Sequence, residues 1–311
     1  PAVAEQFLED GVEDFISMGR TWLADEAWGT KVQQGREDEL CKCISCLRCF
    51  ESLNEYNAVG LPAECALNPR LAREKKYGEL KYDTKGHSVV VVGGGPAGMM
   101  AAKTLAERGC HVTLIDRGSA LGGTVNLAKK PPLKERMEWI MDYYRAAFDR
   151  LDVTVKLNTE ATAEMIEQLK PDAVILGTGA KPIIPSKIPG VSGSNVYTIE
   201  QVLTDQVDFS GKEVTIIGAG LAGIETAEYL AARGAKLTIA DMLDQIAPKA
   251  NHTNVADICS RLTKAEPTYL LGHALKTIAE DHVVLEKCAD HTEVTVPTQA
   301  VVLSLGNRPD T

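Results

Sequence analysis

The chain has 311 residues, an ordinary hydrophobic share of 44% and a formal net charge of -10. That length allows about two or three compact modules, and the acidic balance argues against a nucleic-acid partner. No apolar run approaches the roughly eighteen residues of a membrane span, so no membrane partner is expected. There is no signal-peptide pattern, and a cytoplasmic location is expected; residue 1 is Pro, which points to a fragment or a processed product.

In chain order, residues 2–10 predict a helix stopped by Gly11, and Val12–Met18 a short strand before Gly19-Arg20. Residues 21–35 predict a second helix ending at Gly35. Five of the eight cysteines then fall between positions 41 and 65, a density unlike a secreted disulfide scaffold. Cys43, Cys46 and Cys49 form a C-x2-C-x2-C run, with Cys41 before it and Cys65 after it. A run this tight can turn three thiolates toward one object, and iron–sulfur clusters take their fourth cysteine from farther along. Structural zinc usually takes two separated C-x2-C pairs, and a second pair is missing here. Cys43, Cys46, Cys49 and Cys65 are therefore the expected ligands of a 4Fe–4S cluster. Cys41 is the alternative to Cys43, although C-x-C spacing suits two corners of a cube less well. The segment 41–66 predicts loops with a helical turn. Cys110, Cys259 and Cys288 are isolated and expected to be ordinary buried thiols.

Residues 68–86 are polar and basic and predict a connector. Ser88–Val92 is a short apolar run of the kind that forms a buried parallel strand. Strand and helix patterns alternate from there to about 180, where Pro182, Pro185 and Pro189-Gly190 mark a boundary. A second alternating region starts near 212.

Residues 93–116 and 218–241 align without a gap at an offset of 125. Gly93, Gly95 and Gly98 match Gly218, Gly220 and Gly223, and Asp116 matches Asp241. Each copy reads strand, G-x-G-x-x-G, helix, strand, acid, with the acid 23 residues after the first glycine. The first glycine permits the tight turn, the second lets backbone approach a pyrophosphate, and the third lets helix and strand pack closely. The helix N-terminus then faces the phosphates, and the acid accepts from a ribose hydroxyl. The bland alternative is one working site and a vestigial copy. Two sites suggest a flavin exchanging electrons with a nicotinamide. Gly122-Gly123-Thr124 and the Gly-rich turn at Thr178-Gly179 follow the first copy and fit a domain that wraps FAD. The second copy, read as lacking both elements, is expected to hold the nicotinamide nucleotide. Asp241 disfavours a 2′-phosphate, and Met242 and Leu243 supply no Arg, so NADH is preferred to NADPH. Glu225 could face the nicotinamide or be a solvated helix residue. The six histidines form no metal or triad pattern, and Trp22, Trp28 and Trp139 are read as packing residues.

With these motifs in place, nearly the whole chain resembles the C-terminal half of iron–sulfur flavoproteins such as 2,4-dienoyl-CoA reductase, 2-enoate reductase and trimethylamine dehydrogenase. The resemblance implies an α/β chain of two Rossmann-like dinucleotide-binding domains, for FAD and NAD(P), preceded by a cluster segment and the last strand and helix of an FMN-binding TIM barrel. The implied division is 1–40 barrel end, 41–85 cluster segment and linker, 86–200 first part of the FAD domain, 201–298 NAD(H) domain, and 299–311 return strand to the FAD domain. Asp14–Arg20 resembles the last barrel strand and its turn, making Gly19 and Arg20 candidates for an FMN phosphate. Gly93, Gly95, Pro96, Ala97, Gly98, Asp116, Arg117, Gly122, Gly123, Thr124, Lys134, Thr178 and Gly179 are the implied FAD residues. Gly218, Gly220, Gly223, Glu225 and Asp241 are those for NAD. The 15 residues between Cys49 and Cys65 are somewhat more than the family pattern, and the cysteine run is nearer that of trimethylamine dehydrogenase. Most of the barrel is absent, and the chain stops before the Gly-Asp segment that completes FAD binding, so no catalytic residue is assigned. The implied activity is NADH-dependent reduction of an activated C=C bond in a small unsaturated molecule, with electrons passing NADH to FAD to 4Fe–4S to FMN; a homo-oligomer is compatible with it. Its rivals are an amine dehydrogenase, and an electron-transfer module with no substrate site of its own.

Overall fold

The computed structural model describes residues 1–56, 59–79, 81 and 83–310. They form two compact units, 1–125 with 136–178, and 126–135 with 179–311.

The first unit opens with α1 (Ala2–Glu9), which is followed after its C-cap Asp10 by Gly11 with φ 65°. Residues 12–18 form no strand, and Phe15 is 89% exposed. A strand is stable only when a neighbour takes up its backbone groups, and none of the described strands pairs with this stretch. The expected helix over 21–35 is two helices, α2 (Gly19–Ala24) and α3 (Trp28–Gln33). Asp25 makes the break. Its carboxylate, 3% exposed, accepts from the Ala27 N–H at 3.1 Å, the Cys41 N–H at 2.8 Å and Lys31 Nζ at 2.6 Å. The cysteine segment holds a nine-residue helix, α4 (Arg48–Tyr56), rather than a single turn. Among its described residues the connector contributes only α5 (Glu74–Tyr77).

Then come β1 (Ser88–Val92), α6 (Pro96–Glu107), β2 (His111–Ile115), α7 (Val125–Ala128, all but its first residue belonging to the second unit), α8 (Glu138–Phe148), β3 (Val153–Lys156), α9 (Ala163–Leu169) and β4 (Ala173–Leu176). The four strands make a parallel sheet in the order β3-β2-β1-β4. Its central strand is the apolar run expected to be buried, with Val89, Val90 and Val91 inside. Met99 and Ala102 of α6 and Ile140, Met141 and Tyr144 of α8 pack on it, and Ile44 and Leu67 of the cysteine segment close the same core.

The second unit contains β5 (Ala180–Pro182), β6 (Val196–Thr198), α10 (Ile199–Leu203), β7 (Glu213–Ile217), α11 (Leu221–Ala231), β8 (Lys236–Asp241), α12 (His252–Leu262) and β9 (Thr268–Leu271). It continues with β10 (His273–Ile278), β11 (His282–Lys287), β12 (Glu293–Pro297), β13 (Ala300–Leu303) and β14 (Asn307–Pro309). Five strands make a parallel sheet, β6-β13-β7-β8-β9, and β10, β11 and β12 form an antiparallel sheet. β13 lies inside the five-stranded sheet, and β14 pairs with β5, a strand that falls within the span 86–200. Among the described residues no helix is long and apolar enough to cross a membrane.

Candidate functional site

The two glycine loops are the same object built twice. Gly93 and Gly218 have φ of 104° and 109°, open to glycine and costly for other residues. The Gly93 and Gly218 N–H groups donate to the carbonyls of Ile115 and Ala240 at 2.8 and 2.7 Å. A Cβ on Gly98 would stand 1.8 Å from the Gly93 oxygen, and one on Gly223 2.0 Å from the Gly218 oxygen, so helix and turn meet with no room for a methyl. A Cβ on Gly95 or Gly220 would touch nothing within 4 Å. This is the open side on which a pyrophosphate fits. No side chain caps α6 or α11, whose N-caps are Gly95 and Gly220, so the free amides of their first turns, which in α6 begin after Pro96, face that opening.

The two acids brace the loops. Asp116 Oδ2 accepts from the Gly94 N–H at 2.5 Å and Oδ1 from the Gly118 N–H at 2.6 Å. Asp241 accepts from Ala219 at 2.6 Å and Leu243 at 2.8 Å in the same manner. A carboxylate has about four acceptor positions, so each acid keeps capacity for a ribose after bracing its turn. The symmetry continues in the Gly122 N–H to the Gly94 carbonyl, 2.8 Å, and the Ala247 N–H to the Ala219 carbonyl, 2.9 Å. Past that point the copies diverge. A Cβ on Gly123 would come 3.0 Å from Gly95 Cα, whereas Ala247-Pro248-Lys249 stands at the matching place. Pro96, Ala97, Arg117 and Thr124 are exposed around the first loop.

The second copy does not lack the turn that follows the first. Ala173–Pro182, AVILGTGAKP, and Ala300–Pro309, AVVLSLGNRP, align at an offset of 127. Gly177 and Ser304 present their carbonyls 2.2 Å from where a Cβ on Gly93 or Gly218 would lie. Gly179 and Gly306 both have positive φ, 80° and 84°. The two copies then pair with each other as β5 and β14, flanked by reciprocal bonds from the Ile183 N–H to the Gly306 carbonyl, 3.0 Å, and from the Asp310 N–H to the Gly179 carbonyl, 3.1 Å. The sequence signal was there, displaced by two residues from the main repeat.

Lys134 lies in the second unit, where its ammonium pairs with Glu225 Oε1 at 2.5 Å. The structure thus seats an implied FAD residue beside the second glycine fingerprint. Glu225 is partly buried and paired rather than a free solvated side chain.

Cys43, Cys46, Cys49 and Cys65 line one small cavity, together with Arg20, Leu23 and Ile44. Among the described residues no three His, Cys, Asp or Glu side chains gather closely enough for a single metal ion. The run is wound by two left-handed residues, Ser45 with φ 59° and Leu47 with φ 60°, conformations that cost a non-glycine residue about 1–3 kcal/mol. The Ser45 N–H donates to Cys43 Sγ at 3.4 Å and the Leu67 N–H to Cys65 Sγ at 3.5 Å. Ser52, fully buried, brings the fourth cysteine back: its hydroxyl donates to the Cys49 carbonyl at 3.0 Å and accepts from the Glu64 N–H at 2.9 Å. Arg48 and Arg73 clasp the Glu64 carboxylate at 2.7 and 3.1 Å, and these bonds hold it below the usual carboxylate range. Burial raises the Cys65 thiol above its ordinary value. Cys41 is 6% exposed and lines a different cavity, and burial pushes its thiol up to about 12. Of the remaining cysteines, Cys110 is buried, Cys259 is half-buried and Cys288 is exposed, contrary to expectation, because it sits in the turn after β11. Gly19 begins α2, and Arg20 faces the cysteine cavity.

Trp22 and Trp28 pack edge to face, ring centroids 5.8 Å apart. Trp139 instead carries Lys42 and Arg136 against its ring.

Known proteins share this arrangement. The family described as pyridine nucleotide-disulphide oxidoreductase matches residues 87–311. An NADH oxidase of Thermoanaerobacter brockii is 37% identical over 313 aligned positions, which cover 99% of this chain and 47% of that protein. A cinnamate reductase of Clostridium sporogenes is 35% identical over 91% of this chain and 44% of its own length. A 2-naphthoyl-CoA reductase structure superposes with a TM-score of 0.90 and 32% identity over 99% of this chain and 46% of that one. The chain spans about half the length of these relatives. The chain therefore belongs to the pyridine nucleotide-disulphide oxidoreductase family, as the C-terminal portion of an oxidoreductase of the 2-enoate reductase and trimethylamine dehydrogenase type.

Proposed function

We propose that the chain is the electron-input portion of an NADH-dependent iron–sulfur flavoprotein that reduces an activated C=C bond of the enoate or enoyl-thioester type. The observation that carries this reading is the pair of braced glycine cradles together with a cavity walled by four cysteines. The first cradle, with Gly122 and Gly123 drawn up to its turn, is the place for FAD. The second is the place for NADH: Asp241 stands at the ribose position, and Met242 and Leu243 after it offer a 2′-phosphate no cation. Four cysteines lining one cavity, three of them from a single C-x2-C-x2-C run with no second separated pair, suit a 4Fe–4S cluster better than structural zinc. The residues present fit these groups; Gly19 and Arg20 remain candidates for an FMN phosphate. When bound, the groups would turn hydride from NADH into single-electron steps from FAD through the cluster to FMN. This chain's residues supply phosphate-facing amides, ribose-facing carboxylates and sulfur ligands. Relatives named for the reduction of cinnamate and 2-naphthoyl-CoA support an α,β-unsaturated or aromatic acyl substrate.

The test is anaerobic purification of the full-length protein with cofactor analysis and an NADH titration. FAD, FMN and about four irons per chain, with flavin bleached by NADH, are expected. Zinc in place of iron would remove the cluster from the reading. Bound ADP with no response to NADH would transfer the protein to the amine dehydrogenases.

A further inference from the structure

Ser45 sits at the centre of the cysteine run in a left-handed conformation, φ 59°, which serine adopts unwillingly. Two bonds hold it there from opposite sides. Its N–H donates to Cys43 Sγ at 3.4 Å, and its hydroxyl oxygen accepts from Arg136 Nη1 at 2.5 Å. Arg136 is itself held. Its guanidinium carbon lies 5.5 Å from the centroid of the Trp139 ring, and Lys42 Nζ lies 5.8 Å from the same ring. Trp139 is the second residue of α8, whose Ile140, Met141 and Tyr144 are anchored in the core. A chain of contacts therefore runs from the core of the first unit through Trp139 and the exposed Arg136 to the residue whose amide faces a ligand sulfur. Arg136 is 91 residues from Ser45 in the chain, and nothing in the nucleotide fingerprints requires it.

We propose that Arg136 is a positioning residue for the iron–sulfur cluster, fixing Ser45 so that its amide stays aimed at the sulfur of Cys43. This rests on the cluster assignment made above. Hydrogen bonds to cluster sulfurs and nearby positive charge both favour the reduced, more negative state. Loss of Arg136 lets Ser45 leave the left-handed region, withdraws the amide and removes a cation, so the reduction potential falls.

The experiment is an anaerobic redox titration of the full-length holoprotein, followed by the electron paramagnetic resonance of the reduced cluster, with iron counted in every sample. Arg136→Met and Ser45→Ala should load iron fully, lower the midpoint potential and broaden the signal. Arg136→Lys, which keeps the charge but not the planar fork, should fall between. Glycine adopts the left-handed turn without help, so Arg136→Met in a Ser45→Gly background should shift the potential less than in the parent. Unchanged potential and spectrum in fully loaded Arg136→Met overturn the proposal. So does an equal shift in the serine and glycine backgrounds, which would leave Arg136 acting through charge alone. If the parent protein holds zinc or no iron, the cluster assignment fails first and this role falls with it.

Discussion

A methyl group on Gly98 would meet the carbonyl oxygen of Gly93 at 1.8 Å, and one on Gly223 would meet that of Gly218 at 2.0 Å. Neither oxygen belongs to a flexible side chain, so the turn itself must move. Gly98→Ala should yield protein depleted of FAD. Gly223→Ala should keep its flavin and lose bleaching by NADH at concentrations that saturate the parent. Flavin absorbance after desalting and an NADH titration separate the two; the reverse pattern would exchange the nucleotides between the cradles. These glycines were legible in the sequence because a side chain there would strike backbone, and their acids because they recur at the same spacing in both copies. Ser45 and Arg136 were not legible, since a bond across 91 residues leaves no periodicity to read. Lys134 was placed with the FAD residues on resemblance, and the structure gives its ammonium to Glu225.

Elements were most readable where burial was simple. The run Ser88–Val92 is hydrophobic throughout and forms the middle of a parallel sheet. The helix expected over 21–35 failed at Asp25, because a buried carboxylate serving three donors outweighs local helix preference. The strand expected over 12–18 failed for want of a described partner strand. Helix α4 depends on Ser52, which ties the carbonyl of Cys49 to the amide of Glu64. Ser52→Ala removes this bridge between two part-buried backbone groups, at a cost of about 0.5–1.5 kcal/mol per hydrogen bond. The variant should release iron faster than the parent when challenged with a chelator, and equal release rates would show that the fourth cysteine is held by other means.

On the scale of the whole chain, the repeat with its offset of 125 announced two related units, and the structure extends the duplication through Ala173–Pro182 and Ala300–Pro309. The extension was hidden by its slightly different offset and by the loss of one glycine, Gly177 becoming Ser304. A ligand that binds one unit stabilises it by mass action, by about 2.7 kcal/mol at a hundredfold excess over Kd. Hydrogen exchange in the presence of NADH should therefore slow across residues 179–311 and in 126–135, which belong to the same unit. Protection concentrated in residues 86–125 would assign the nicotinamide to the first cradle.

The position of β13 also bears on how the protein is made. It lies between β6 and β7, although more than eighty residues separate it from β7 in the chain. Until Leu303 has left the ribosome, the edges of β6 and β7 that pair with β13 stay open, so this sheet is completed long after β7 itself is made. The first sheet gains its corresponding strand, β4, at an outer edge and by residue 176. The two similar sheets thus mature on different schedules, and the one that carries the second glycine cradle keeps aggregation-prone edges open for longer during translation.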